Sequence, residues 1–144
     1  MKNDEYYMKE ALKQANIAYK KDEVPIGCII VKEGKIIARS YNQKTLKNIA
    51  TYHAEILAIN KACKELNTWY LDNCTLYTTV EPCLMCTGAI IQSRISKVVY
   101  GTKNESFGQI SKMNHLKIEV KSNILKEECS SILTRFFRKK RDNN

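Results

Sequence analysis

The 144-residue sequence has no apolar run close to the ~20 residues that a membrane-spanning helix needs; runs such as "IGCIIV" are far shorter. Its first ten residues, "MKNDEYYMKE", lack the apolar core of a secretory signal peptide. Repeats, low-complexity segments and linkers are also missing. We therefore expect a cytoplasmic protein that folds as one domain over residues 1–144, in a compartment where disulfides are rare.

Acidic residues are fewer than basic ones, 15 against 24, which gives a formal net charge of +9. A surface of that charge attracts polyanions at long range. The C-terminal stretch "RFFRKKR" concentrates five basic residues in seven, interleaved with Phe136 and Phe137. This pattern is compatible with nucleic-acid contacts, and also with an amphipathic helix whose phenylalanines face the core and whose basic end is solvated.

The hydrophobic pattern predicts an α/β layered domain, in which a sheet is covered by helices. A β-hairpin is expected over residues 28–41, with its turn at Glu33 and Gly34. Pro82 is expected in the first turn of a helix, a favoured position for proline. The remaining elements are helices at 4–20, 53–66, 82–93 and 124–139, and strands at 75–80, 97–101 and 116–120.

Six cysteines are present. Four of them lie in apolar segments and are expected to be small buried hydrophobic residues: Cys28, Cys63, Cys74 and Cys129. The other two, Cys83 and Cys86, are three residues apart at the start of a predicted helix. Residues at that spacing share a helix face, so both sulfurs can point at one spot. A helix N-terminus also stabilises thiolates, because it favours negative charge.

His53 opens another predicted helix, and together with Cys83 and Cys86 it would supply three metal ligands. Zinc prefers four ligands in a tetrahedron, so three protein ligands leave a position for water, as in catalytic sites. Zinc lowers the pKa of such a water to about 7. Glu55, two residues after His53, is placed to exchange protons with that water.

Other interpretations of the cysteine pair remain open. A Cys-x-x-Cys motif in a cytosolic protein can be a redox dithiol, whereas a structural Cys₄ zinc site would need a second close cysteine pair, which the sequence lacks. His115, the second of two histidines, could close the site as a fourth ligand. Glu81, just before Pro82, is expected to support the loop and to have no catalytic role.

The order His-x-Glu followed by Pro-Cys-x-x-Cys is the known signature of zinc nucleobase deaminases. Over nearly its whole length the sequence resembles the TadA-type bacterial tRNA adenosine deaminases, in "EVPIG", "HAE", "TLYTTVEPCLMCTGAIIQSRISKVVYG" and "FFRKKR". That resemblance implies a cytidine-deaminase-like three-layer α/β/α sandwich with a central mixed five-stranded sheet, usually a homodimer. It also implies deamination of adenosine to inosine at the wobble position of a tRNA anticodon, normally of an arginine tRNA.

Carried over by position, the resemblance makes His53, Cys83 and Cys86 the ligands of one zinc ion per chain, and makes Glu55 the catalytic proton carrier. The residues that it would place against the substrate, an anticodon stem-loop, are Asn42, Ala54, Asn104, Phe136, Phe137 and Arg138.

Two departures from the family concern the substrate. Asn104 stands where the family usually has an aspartate beside the target ribose, and the following segment, "NESFGQISKMNHL", is several residues shorter than usual. Both raise the prospect of weak activity on single-stranded DNA. The alternatives are a deaminase of single-stranded DNA, cytosine or free guanine, and a zinc-bearing RNA-binding protein without turnover, although the latter would have no use for Glu55.

Overall fold

The computed structural model describes residues 2–113 and 117–143. Its helices are α1 (Asp4–Lys20), α2 (Lys44–Lys47), α3 (Ala54–Leu66), α4 (Leu84–Gln92) and α5 (Lys126–Asp142). Its strands are β1 (Gly27–Lys32), β2 (Lys35–Tyr41), β3 (Cys74–Val80), β4 (Lys97–Thr102) and β5 (Glu119–Lys121). Within this part of the chain, no helix has the length and apolar character required to cross a membrane.

The five strands form one sheet in the order β2-β1-β3-β4-β5. The pairs of β1 with β2 and with β3 are antiparallel, and those of β3 with β4 and β4 with β5 are parallel. The sheet is therefore mixed, as expected. The turn of the β1–β2 hairpin is formed by Glu33 and Gly34, whose φ angles of 51° and 75° suit the right-handed twist of the strands.

Helices cover both faces of the sheet, which confirms the three-layer α/β/α arrangement. On one face, Met8 and Ala11 of α1 and Cys129 of α5 pack against β1, β3 and β4. On the other, Ala58 of α3 and Ile90 of α4 belong to a second core cluster. Asn3 caps α1 by accepting a hydrogen bond from the Tyr6 backbone N–H at 2.9 Å.

Several predicted boundaries differ from those of the structure. The helix expected from Pro82 begins at Leu84, because Cys83 is extended and pairs with Gly108 and the Pro82 carbonyl accepts from the Gln109 N–H. The strand expected at 116–120 is Glu119–Lys121, an exposed sheet edge. The last helix begins at Lys126, after Leu125 in a left-handed conformation, and extends to Asp142. The short helix α2 was not predicted.

Candidate functional site

The predicted metal ligands come together where two helices begin. His53 is the N-cap of α3 and Cys83 the N-cap of α4, both in extended conformation. The His53 Nδ1 atom lies 3.7 Å from the Cys83 Sγ and 3.5 Å from the Cys86 Sγ. These three ligand atoms lie within 4.8 Å of one another, and they are the only such group of possible ligands within residues 2–113 and 117–143. His115 lies outside the described residues.

The spacing of these atoms fits a tetrahedral metal ion. With metal–sulfur and metal–nitrogen distances of about 2.3 and 2.0–2.1 Å, a tetrahedral angle separates N and S by about 3.6 Å. The two N–S distances, 3.7 and 3.5 Å, bracket that value. A borderline-soft ion such as zinc prefers this set of one imidazole and two sulfurs. The group can therefore hold a metal with little rearrangement.

The electrostatics of the cysteine pair favour a thiolate. Hydrogen bonds from Cys86 and then from His53 lower the pKa of the Cys83 thiol to about 3. The pKa of Cys86 is raised, first because its S–H donates to Cys83 and second because the residue is buried. The hydrogen bond with Cys83 also raises the pKa of His53. A metal binds both sulfurs as thiolates, so metal binding would displace the proton of Cys86.

Glu55, in the first turn of α3, is buried with 4% exposure. Burial raises the pKa of its carboxyl to about 7, against the opposing effects of a backbone hydrogen bond and of His53. A carboxyl with a pKa near neutrality can both accept and return a proton, as a general acid–base group must. The same helix turn therefore supplies a metal ligand and a candidate proton carrier.

A cavity of about 880 Å³ opens beside His53. Its walls are the segment before β1, the segment after β2, the segment after β4, and one face of α5. Asn42 lies in this wall with 7% exposure. Its side-chain amide donates to the Val24 carbonyl at 3.3 Å and accepts from the Lys44 N–H at 3.2 Å, which fixes its orientation. Asn104, in the segment after β4, also lines the cavity.

The other predicted substrate residues differ in accessibility. Phe137, 53% exposed, and Arg138 line the cavity. Phe136 is 6% exposed, and its ring centroid is 6.2 Å from that of Tyr19, so it packs in the core and offers no open face to a ligand. Ala54 is fully buried in the first turn of α3, where backbone N–H groups lack intrahelical acceptors.

The structure adds residues that the sequence did not indicate. Four further cations line the cavity: Lys44, Lys103, Lys126 and Arg141. Phe107 also lines it and is 73% exposed. A phenylalanine between the polar residues of "NESFGQ" was the available signal. Glu81 supports the loop, as expected, because its buried carboxylate accepts from the N–H groups of Asn104 and Ser111.

Comparisons with known proteins agree with this geometry. The sequence profile of the MafB19-like deaminases matches residues 2–141. The tRNA-specific adenosine deaminase of Bacillus subtilis is 46% identical over 98% of this chain and 92% of its own length. A solved tRNA deaminase that carries out A-to-I editing at the wobble position is 37% identical, with a TM-score of 0.85 over 89% of this chain and 99% of that one. A guanine deaminase of Bacillus subtilis is 39% identical, with a TM-score of 0.69 over 80% of this chain and 78% of that chain.

Proposed function

This chain belongs to the family of tRNA-specific adenosine deaminases, and we propose that it converts adenosine to inosine at the wobble position of a tRNA anticodon. One observation carries the proposal. The cluster of His53, Cys83 and Cys86 stands beside buried Glu55, at a cavity whose rim is cationic. The cluster can hold a metal, Glu55 can carry protons, and the cationic rim can bind a polyanionic substrate at the same place.

The metal that we propose is one zinc ion per chain, held by His53 Nδ1 and the sulfurs of Cys83 and Cys86. The distances among these atoms and their chemistry support zinc. Zinc supplies Lewis-acid activation of water at neutral pH. The protein's part is to hold the three ligands at two helix N-termini, where thiolate charge is stabilised.

Glu55 carries the protons of the reaction. Hydrolytic deamination forms a C–O bond at C6 of adenine and breaks the C6–N bond, with water consumed and ammonia released. The Glu55 carboxylate accepts a proton from the attacking water. It donates this proton to a ring nitrogen, accepts the second proton from the new hydroxyl at C6, and donates that proton to the departing amine. Its burial removes competing bulk water and keeps its pKa near the range in which both transfers are feasible.

The cavity walls bind and orient the base. Asn42 is held in one orientation by two hydrogen bonds and is the proposed polar contact to the base. The backbone at Ala54, in the first turn of α3, is a second candidate contact. Asn104 is the proposed neighbour of the target ribose. Phe137 and Arg138 face the same cavity from α5, where they are available to a nucleotide loop.

The cationic rim favours a nucleic acid over a free base. Lys44, Lys103, Lys126, Arg138 and Arg141 all border the cavity, and a neutral base such as guanine gains nothing from them. Sequence-specific recognition of RNA usually targets single-stranded loops whose bases can be splayed out. An anticodon loop meets that condition, and we take an arginine tRNA as the first candidate substrate.

We further propose that the protein acts in the cytoplasm as a single-domain homodimer. Leu84 and Ile91, one face of α4 at i and i+7, are 67% and 39% exposed, and a partner subunit would cover them. Sedimentation at micromolar concentration should give twice the mass of one chain. A monomer at every concentration would contradict this proposal without affecting the chemistry.

The test of function uses synthetic anticodon stem-loops with adenosine, cytidine or deoxyadenosine at the wobble position, and free guanine as a fourth substrate. We expect the zinc-loaded protein to form inosine from the adenosine stem-loop, and Glu55→Ala to form none. Faster turnover of guanine or of the cytidine loop would contradict the proposal and would identify the alternative activity.

A further inference from the structure

A short turn at the cavity mouth displays an aromatic ring to solvent. The Phe107 side chain is 73% exposed and belongs to neither core cluster, so it contributes little to folding. It nevertheless lines the same cavity as His53 and the exposed ring of Phe137. An exposed phenylalanine of this kind has a free face available to a planar ligand.

The turn that carries Phe107 is held by hydrogen bonds. The side-chain oxygen of Asn104 accepts from the Phe107 N–H at 3.0 Å. The Asn104 carbonyl accepts from the Gly108 N–H at 2.9 Å. These two bonds span the five residues 104–108 and fix the direction in which the Phe107 side chain leaves the backbone. A turn whose backbone is already ordered loses less conformational entropy when a ligand binds to its side chain.

The buried carboxylate of Glu81 anchors this turn to the metal-binding segment. Glu81 is 2% exposed and accepts from the Asn104 N–H at 3.3 Å and the Ser111 N–H at 2.8 Å. A Cβ atom at Gly108 would collide with that carboxylate, so the turn passes directly over it. Cys83 forms a β-bridge with Gly108 in the same region. The position of the turn is therefore set relative to a metal ligand.

We propose that Phe107 stacks on a substrate base that flanks the target nucleotide, and that Glu81 is a positioning residue for this contact. The inference rests on the proposed function, because it takes the ligand to be a single-stranded nucleotide loop. Every base has a π-face, so stacking on an aromatic side chain adds affinity with little dependence on sequence. Phe137 lines the same cavity, so a second exposed ring is available to another base beside the target.

The first test measures deamination of an adenosine anticodon stem-loop by Phe107→Ala and Phe107→Tyr. We expect Phe107→Ala to raise KM by roughly tenfold with kcat little changed, and Phe107→Tyr to remain within about threefold of wild type. Melting temperatures should be unchanged, since the side chain is exposed. Trp69→Ala removes another exposed aromatic that does not line the cavity, and should leave KM unaltered.

Stem-loops with a single abasic nucleotide on either side of the target identify the stacked base. Removal of the correct base should weaken wild-type binding and abolish the further effect of Phe107→Ala. Equal losses on every abasic loop, or wild-type KM in Phe107→Ala, would overturn the inference. If the wild-type protein neither binds nor deaminates the intact loop, the proposed function fails as well. If the wild-type protein deaminates the intact loop normally and Phe107→Ala has the wild-type KM, only the stacking contact is refuted.

The role of Glu81 is tested by Glu81→Gln, which keeps the length of the side chain but can accept only one of the two N–H bonds. The variant should retain its zinc, show faster amide hydrogen exchange at Asn104 or Ser111, and raise KM as Phe107→Ala does. The double variant Glu81→Gln/Phe107→Ala should have the KM of Phe107→Ala alone, because both changes remove the same contact. Additive losses, or a fall in kcat without a rise in KM, would show that Glu81 only stabilises the fold.

Discussion

The basic residues near the end of α5 are not equivalent, and this gives a quantitative prediction. Arg138 and Arg141 line the cavity. Lys140 instead forms an ion pair with Asp22 at 2.5 Å, and the Lys139 ammonium lies 5.8 Å from the centre of the Tyr19 ring. The helix therefore directs two cations toward the cavity and two toward the N-terminal helix and the turn that follows it.

The size of the effect follows from counterion release. Each phosphate contact contributes about 0.7–0.9 to the slope of log affinity against log salt. Replacing both Arg138 and Arg141 by Ser should lower that slope by about 1.4–1.8, if each contacts one phosphate. Between about 50 and 200 mM salt, wild type should then lose roughly tenfold more affinity than the variant.

The assay is binding of a labelled anticodon stem-loop at several salt concentrations, with Lys139→Ser/Lys140→Ser as the matched control. Both variants remove two charges, so their net charge is identical. The control should keep a slope close to that of wild type, because its side chains point away from the cavity. Equal slopes in the two variants would refute this assignment and would show that only total charge matters.

Three other changes test the chemistry of the site. Cys86→Ala should reduce bound zinc well below one ion per chain by elemental analysis, because two protein ligands hold zinc poorly; undiminished zinc would remove Cys86 from the ligand set. Glu55→Gln should keep zinc and fold yet deaminate ~100-fold more slowly or worse, and a near-normal single-turnover rate would exclude Glu55 as proton carrier. Wild type should act weakly on a matched DNA stem-loop, and Asn104→Asp should suppress that activity more than the RNA activity. The added charge repels phosphates, and only RNA offers a 2′-OH in return. Equal losses on RNA and DNA would contradict this account of Asn104.

Features encoded by short-range pattern were predictable from the sequence. The span of α1 follows from apolar residues at helical spacing, and the β1–β2 turn from Glu33 and Gly34. The metal group was predictable because Cys83 and Cys86 are one helical turn apart and His53 begins another helix. The helix and the turn depend on residues close together in the chain, and the metal group depends on the ligand preferences of the metal.

Features that depend on distant contacts were not predictable. The start of α4 is delayed because the Pro82 carbonyl accepts from the Gln109 N–H at 3.1 Å. The short helix α2 begins where the buried Glu23 carboxylate accepts from the N–H groups of Thr45 and Leu46, a contact across more than twenty residues. Phe107 could not be found from hydrophobic periodicity, because its proposed role depends on its place in the cavity wall, which is set by contacts distant in sequence.

The most direct test of the proposed activity is the inosine content at the wobble position of tRNAs from host cells with and without this protein. Sequencing should find inosine in at least one tRNA, with an arginine tRNA as the first candidate, when the protein is present. Adenosine should replace it when the protein is absent, and Glu55→Ala should fail to restore inosine. Unchanged inosine in cells that lack the protein would contradict the central claim.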